Sequence, residues 1–119
     1  MKQKYIVDDI VMYKNRIHTI IETLGRNNYE LSYVRHPINR AELSGVPLTP
    51  KILEKNGWKL CHGFYCSPNE EGAGVCLSSE TGYVWNAYLG RQPLRSNINS
   101  VSDLQHLLFG LGLSSEMEV

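Results

Sequence analysis

The sequence predicts a single α+β domain, in which two antiparallel β meanders are joined by a short capped helix and closed by an amphipathic carboxy-terminal helix packed on the sheet. Three observations support this prediction. Short runs of β-branched and aromatic residues alternate with turn residues, one short segment carries both helix-end signals, and leucines recur at helical spacing near the end of the chain. At 119 residues the chain has the usual size of one domain with one hydrophobic core.

The first meander consists of three predicted strands, which are residues 10–13, residues 16–24 and a third strand that begins at Tyr29. In the third strand, Tyr29, Leu31 and Tyr33 alternate with polar residues and are expected on one face. An aspartate pair, then Ile-Val-x-Tyr, a tight turn at Lys14 and Asn15 and a longer strand resemble the opening of an SH3-like barrel. Three meandering strands of this length can curl into a small half-barrel.

A proline-rich arm, residues 37–50, follows the first meander, and a short strand is expected within it at residues 40–43. The arm leads into the short helix. Thr49 is the predicted N-cap, Pro50 occupies the first helical position, and Leu48 is placed to pack on Leu53. The Asn-Gly pair that follows predicts the end of the helix, with the next residue, Trp58, turned toward a strand.

The second meander is predicted from three apolar runs, which are residues 58–66, 75–79 and 83–89. If residues 58–66 form one strand, Trp58, Leu60, His62 and Phe64 share one face. The closing helix begins at an N-cap, Ser100, and its apolar stripe comprises Val101, Leu104, Leu107, Leu108 and Leu111. We expect this stripe to dock on the sheet; the alternative is a seam between two copies of the chain.

These elements divide the single domain, residues 1–119, into three parts. Residues 1–46 hold the first meander and the arm, residues 47–113 hold both helices and the second meander, and residues 114–119 are expected to form a frayed tail.

The composition of the chain indicates the cellular compartment in which the protein is expected. No apolar run approaches the roughly 20 residues needed to cross a bilayer, and the first residues lack the apolar core of a signal peptide. Three cysteines, an odd number, fit a reducing compartment better than a disulfide framework. The sequence therefore predicts a cytoplasmic protein that does not contact a membrane.

Cys61, His62, Cys66 and Cys76 form the one cluster of metal-ligand residue types in the sequence. Within a single strand, Cys61 and His62 point to opposite faces, and Cys61 lies about 16 Å from Cys66. No Cys-x2-Cys knuckle, phosphate loop or catalytic constellation accompanies them. We therefore predict no metal, no cofactor and no enzymatic activity. Cys66 and Cys76 flank a hairpin loop and can face one another, as reduced thiols or, under oxidation, as a disulfide.

The formal net charge of zero conceals a polarity along the chain. Residues 1–59 hold ten Lys/Arg against six Asp/Glu, and residues 60–119 hold two against six, which gives +4 and −4. Such polarity can orient a partner or a second copy, although solvated surface charge is the favoured explanation. Basic residues interleaved with tyrosines can also bind single-stranded nucleic acid. The candidate residues are Lys14, Arg16, Arg26, Arg35 and Arg40.

Two segments carry a resemblance to known proteins. They are Pro47-Leu48-Thr49-Pro50-x-Ile52-Leu53-x-Lys55-Asn56-Gly57-Trp58 and Val101-x-x-Leu104-Gln105-x-Leu107-x-x-x-Leu111. Together they resemble the landmarks of small uncharacterised proteins from phages, prophages and mobile elements of gut anaerobes, in which a β-rich part precedes both. The resemblance spans residues 5–111 and implies a mobile-element origin and an accessory role. It transfers no catalytic residue, because the matched positions are helix caps and core.

The sequence thus predicts a non-catalytic accessory protein that binds a host or phage protein, as a monomer or a homodimer. The alternative is an accessory protein that binds nucleic acid through its basic amino-terminal half.

Overall fold

Residues 5–68 and 74–119 form two antiparallel sheets of five strands and two α-helices in the computed structural model, which describes these residues. The α+β class with two meanders is confirmed. The first sheet contains β1 (Ile10–Tyr13), β2 (Arg16–Leu24), β3 (Asn28–Leu31), β4 (Ile38–Asn39) and β5 (Leu43–Gly45), in the spatial order β4-β3-β2-β1-β5. The arm expected to connect the meanders therefore supplies both edge strands of this sheet.

Turn chemistry explains the hairpin between β1 and β2. Lys14 and Asn15 both adopt positive φ, 49° and 63°, as the two central residues of a tight hairpin turn require. Further along β2, the register shifts between Ile20 and Glu22, so Ile21 is an extra residue in a bulge. This bulge keeps Ile20 in the core while it directs Ile21 to solvent.

Two expectations for the first meander are wrong. Tyr33 does not share the buried face of Tyr29 and Leu31, because the strand ends at Leu31 and Tyr33 takes a left-handed φ of 62°. The strand expected at residues 40–43 is instead a 3₁₀ helix, Arg40–Glu42. Its capping box is closed by the Asn39 side chain, which accepts from Ala41 N, and by Glu42, which accepts from Asn39 N.

The second sheet contains β6 (Lys59–Cys61), β7 (Phe64–Cys66), β8 (Val75–Ser78), β9 (Trp85–Leu89) and β10 (Gln92–Ile98), which are adjacent in chain order. The single strand predicted over residues 58–66 is wrong. His62 and Gly63 turn the chain at φ values of 50° and 84°, so β6 and β7 form a hairpin. Strand β10 was not predicted; Pro93 is accommodated there because β10 is an edge strand.

The short helix α1, Pro50–Lys55, has the ends that the sequence predicts. Thr49 Oγ1 accepts a hydrogen bond from Ile52 N at 3.3 Å, and Leu48 and Leu53 are both fully buried in one cluster. At the other end, Gly57 takes a φ of 84° and Trp58 N donates back to Leu53 O at 3.0 Å.

The closing helix α2, Val101–Gly110, is capped by Ser100, whose Oγ accepts from Asp103 N. It packs on β1 and β10 as predicted, with Val101, Leu104 and Leu108 buried. Within the tail, the Glu118 backbone and the Asn56 side chain exchange two hydrogen bonds of 2.7 Å.

Two hydrophobic clusters meet at β1. Val11 and Tyr13 face a cluster inside the first sheet, whereas Ile10 and Met12 face a larger cluster formed by the second sheet and both helices. Because residues alternate across a strand, β1 contributes to both cores at once. Trp85 Nε1 adds a buried hydrogen bond of 2.8 Å to Leu48 O in the larger cluster.

Candidate functional site

One end of the first sheet brings together part of the predicted basic set. Lys14 lies in the β1–β2 turn with its Nζ 5.3 Å from the centroid of the Tyr13 ring, and Arg16 is paired with Tyr13 across the hairpin. The Tyr13 ring also meets the His18 ring edge to face at 5.9 Å. A cation above an aromatic face is held by the ring quadrupole, so this turn presents the Lys14 charge on the Tyr13 ring, with Arg16 at the paired backbone position.

The loop after β3 is fixed next to this cluster. His18 Nδ1 lies 2.8 Å from Ser32 O, and Ser32 Oγ accepts from Thr19 N at 3.0 Å. These contacts present Tyr33, which is 100% exposed, and Arg35, which is exposed two residues further on. A bulky side chain at positive φ is uncommon, and such strain clusters at functional positions. Tyr33 is the position in this loop that the alternation pattern missed.

The remaining two basic candidates lie elsewhere. Arg26 is in the β2–β3 turn, and Arg40 N donates to Asn27 O at 2.6 Å, so Arg26 and Arg40 belong to the opposite end of β2 from Arg16. A nine-residue strand is up to about 30 Å long. The five candidates therefore fall into two groups, and nucleic-acid binding by them stays a prediction.

A second surface is the outer face of the second sheet. We give this name to the side chains that the strand register places opposite the core, which are Lys59, Cys61, Phe64, Cys66, Cys76, Ser78, Asn86 and Tyr88. Phe64 and Tyr88 meet edge to face there, with ring centroids 5.9 Å apart. Phe64 is still 39% exposed. A single strand over residues 58–66 would place Cys61 and Phe64 on opposite faces, so the alternation pattern does not predict this surface; the His62-Gly63 turn is the sequence signal for it.

The three cysteines share this outer face. Cys66 is paired directly with Cys76, and their sulfur atoms are 3.2 Å apart. Burial is the main cause that raises the pKa of the Cys66 thiol, and its hydrogen bond with Cys76 raises it further, while a hydrogen bond with Cys61 lowers it. All three are free thiols. Within residues 5–68 and 74–119, no group of three or more His, Cys, Asp or Glu side chains is placed to hold a metal ion.

Polar side chains buried between β1 and α2 form a third group. The Asp9 side chain is 2% exposed; its Oδ2 accepts from Ile6 N and lies 2.5 Å from His106 Nε2. This hydrogen bond raises the pKa of His106 against the opposing effect of burial. Beside it, Gln105 Oε1 accepts from Ile10 N while Nε2 donates to the carbonyls of Asp8 and Ser115. These contacts join the two halves of the chain.

An acid–histidine pair is also two-thirds of a nucleophilic triad. In the described part of the chain, the one hydrogen bond of the His106 side chain is to Asp9, so no hydroxyl or thiol is held against it. The pair therefore has the geometry of a structural ion pair between the amino-terminal segment and α2.

A cavity of about 300 Å³ lies between the end of α1, the α2 end and the tail. Trp58, Leu108 and Met117 supply apolar walls, and Ser67 Oγ is buried there without a hydrogen-bond partner among the described residues. Its volume is at the lower limit of small-molecule pockets.

The comparisons with known proteins add no family. No protein-family model matches the chain, and neither the curated proteins nor the solved structures include a significant match. The class is thus defined by the fold alone: an α+β protein with two five-stranded antiparallel sheets in its described residues. Neither described helix has the length and apolar composition that crossing a membrane requires.

Proposed function

We propose that this chain is a non-catalytic binding module whose target is another protein. The observation that supports the proposal best is the outer face of the second sheet, where Phe64 and Tyr88 form an aromatic pair in reach of solvent. Among the outer-face residues of β6–β9, Lys59 is the one that carries a charge. Protein interfaces are poor in charge and rich in aromatic residues at their centres, so this composition suits a protein partner.

The size of the face sets the expected strength of binding. Four strands about 4.8 Å apart, each three to five residues long, make a surface roughly 15 Å on a side. A standard interface buries about 800 Å² on each partner, several times this area. We therefore expect a weak, transient complex, or one that extends onto neighbouring loops.

The first sheet supports the SH3-like part of the proposal. Its strand order, β4-β3-β2-β1-β5, and the 3₁₀ helix before its last strand support the proposal of an SH3-like scaffold. Because small barrels of this kind carry many unrelated functions, this likeness bears on the scaffold and leaves the target to be set by the surface residues.

The biological role rests on the resemblance of residues 47–58 and 101–111 to small phage, prophage and mobile-element proteins. On that basis we propose an accessory protein acting on a host or phage protein; the cytoplasmic location in this proposal is supported by the odd cysteine count.

Affinity purification of tagged variants from the native host, with and without nuclease, tests the proposal. A protein that is captured after nuclease treatment by the wild type, and lost with Phe64→Ser and Tyr88→Ser, is the expected result. Tyr83→Ser is the matched control, because Tyr83 is an exposed aromatic outside the outer face. Equal capture by all variants, or a partner identified as a second copy of this chain, would overturn the assignment of the face.

The second candidate function is single-stranded nucleic-acid binding. It is favoured by Tyr33, a fully exposed ring next to the Lys14 and Arg16 cluster, since bases stack on such rings while cations contact phosphates. Fluorescence anisotropy of a labelled DNA oligonucleotide across salt concentrations provides the test. Arg16→Glu and Tyr33→Ser should weaken binding, whereas Arg26→Glu, at the other end of β2, should have little effect. Affinity that does not depend on salt would exclude this function.

A further inference from the structure

The three cysteines meet in a way that the sequence does not reveal. Antiparallel pairing of β7 and β8 sets Cys66 directly opposite Cys76, and the β6–β7 hairpin brings Cys61 onto the same outer face. The Cys66 and Cys76 sulfurs are 3.2 Å apart, and the Cys61 thiol hydrogen-bonds to that of Cys66. The protein therefore holds a row of three thiols whose middle member contacts both others.

Strand geometry favours one bond between them. Ser67 N donates to Val75 O at 2.9 Å, so the neighbouring pair, Cys66 and Cys76, falls at the non-hydrogen-bonded position of the ladder. Directly opposite residues at such a position have Cα atoms about 4.5 Å apart, which is within the range of disulfides. Cys61 and Cys66 are diagonal neighbours, about 7–8 Å apart, so a disulfide between them requires backbone movement, is strained, and exchanges readily for the Cys66–Cys76 bond.

Solvent exposure indicates that Cys61 is the first of the three thiols to react with an oxidant. Cys61 is exposed, whereas Cys66 and Cys76 are half-buried. Oxidants in solution react first with accessible thiolates, so the exposed thiol reacts before the pair that forms the stable bond.

We propose that Cys61, Cys66 and Cys76 constitute a peroxide-oxidisable thiol site, in which Cys61 reacts first and a reversible Cys66–Cys76 disulfide is the product. In the first step the Cys61 thiolate attacks one oxygen of hydrogen peroxide. The S–O bond forms as the O–O bond breaks, and the departing hydroxide takes up a proton to give water and a Cys61 sulfenic acid.

Two further thiol reactions move the oxidised state from Cys61 to the Cys66–Cys76 pair. The Cys66 thiolate attacks the Cys61 sulfur, the S–O bond breaks, and hydroxide again leaves as water. The Cys76 thiolate then attacks Cys66, and Cys61 departs as a thiolate that regains its proton. In total, two thiols lose two electrons and two protons while one peroxide is reduced to two waters, and Cys61 ends as a free thiol.

Mass spectrometry of the intact protein after treatment with hydrogen peroxide tests the proposal without any variant. The expected product has lost two hydrogen atoms and has one free thiol instead of three, and dithiothreitol restores the original mass and thiol count. Mapping requires chymotrypsin with a Glu-specific protease, because no Lys or Arg lies between Lys59 and Arg91. Cleavage after Tyr65 and at Glu70 and Glu71 separates the three cysteines.

Two variants test the assigned order. Cys61→Ser should form the same Cys66–Cys76 disulfide several-fold more slowly, and Cys76→Ser should stop at a Cys61–Cys66 disulfide or a sulfenic acid. Circular dichroism of each reduced variant verifies its fold. The proposal is overturned if the wild type accumulates sulfinic acid with no loss of two hydrogens, or if its disulfide maps to Cys61. An unchanged rate in Cys61→Ser would remove the role of Cys61.

Discussion

Replacement of Gln105 by leucine is the perturbation that tests most directly how the two halves of the protein are held together. The Gln105 side chain is buried in α2 and accepts a hydrogen bond of 2.9 Å from Ile10 N at the start of β1. It also donates bonds of 3.1 Å to the carbonyls of Asp8 and Ser115. One side chain thus joins the amino-terminal segment, the first sheet, α2 and the tail.

The cost of Gln105→Leu follows from these three bonds. The Ile10 N–H loses its acceptor in a buried position, which costs about 1–3 kcal/mol. Each of the two carbonyls loses a donor, at about 0.5–1.5 kcal/mol apiece, because they are partly accessible to water. The added apolar burial offsets part of this, leaving an expected destabilisation of about 2–4 kcal/mol. For a chain of 119 residues the entropy of unfolding is about 250 cal/mol/K, so a loss of about 3 kcal/mol lowers Tm by about 12 °C.

Urea unfolding followed by tryptophan fluorescence provides the assay, since Trp58 and Trp85 lie in the larger core that α2 closes. Gln105→Glu retains an acceptor for Ile10 N but buries a carboxylate whose other oxygen faces the carbonyls of Asp8 and Ser115, so at neutral pH it should destabilise the protein at least as much as leucine does. Gln92→Leu makes the same chemical change at an exposed position and should stay within about 0.5 kcal/mol of wild type. A Gln105→Leu protein as stable as Gln92→Leu, with an unchanged m-value, would refute the reasoning.

Three further predictions concern stability. His106 has a raised pKa in the folded state, so its bond with Asp9 stabilises the protein fully below about pH 6.5, and this contribution is lost as pH rises through the folded pKa. The difference in Tm between wild type and His106→Gln should accordingly shrink from pH 5.5 to 9 in calorimetry; a constant difference would contradict the ion pair. Closure of residues 66–76 by the Cys66–Cys76 disulfide should add about 3 kcal/mol, seen as a Tm about 12 °C higher for peroxide-treated protein than for its dithiothreitol-reduced form; equal values would mean that the bond strains the hairpin. Thr49→Ala removes the N-cap of α1 and should cost about 1 kcal/mol in urea unfolding, while Thr49→Ser should cost much less.

The sequence predicts helix ends and turns correctly where each residue interacts only with its neighbours in the chain. The ends of α1 follow from Thr49, Pro50 and Gly57, and the β1–β2 hairpin follows from Lys14 and Asn15. In each case the hydrogen bond or backbone angle involves residues within about five positions of one another. Such features can be predicted from the sequence because no distant part of the chain contributes to the hydrogen bond or the turn.

The wrong predictions concern short segments whose residues fit two local conformations, a continued strand or a turn, about equally well. Residues 58–66 have the length and composition of one strand, yet His62 and Gly63 turn the chain, and the partners of β7 decide this. Tyr33 continues the alternation of Tyr29 and Leu31, but His18 and Thr19 bind Ser32 and end the strand before it. The hydrogen bonds between Asn56 and Glu118 join residues 62 positions apart, so the local sequence does not predict them.

By itself, the sequence determined the α+β class, the two helices with their caps, and the presence of basic and thiol-bearing residues, because composition and short-range hydrogen bonds specify these. Only the tertiary structure decided which of those residues meet. It separated Arg16 from Arg26 along β2, and it brought Cys66 against Cys76 and Phe64 against Tyr88. The physical reason is that strand register and hairpin direction fix contacts across a sheet, and both are set by packing against distant residues rather than by the segment itself.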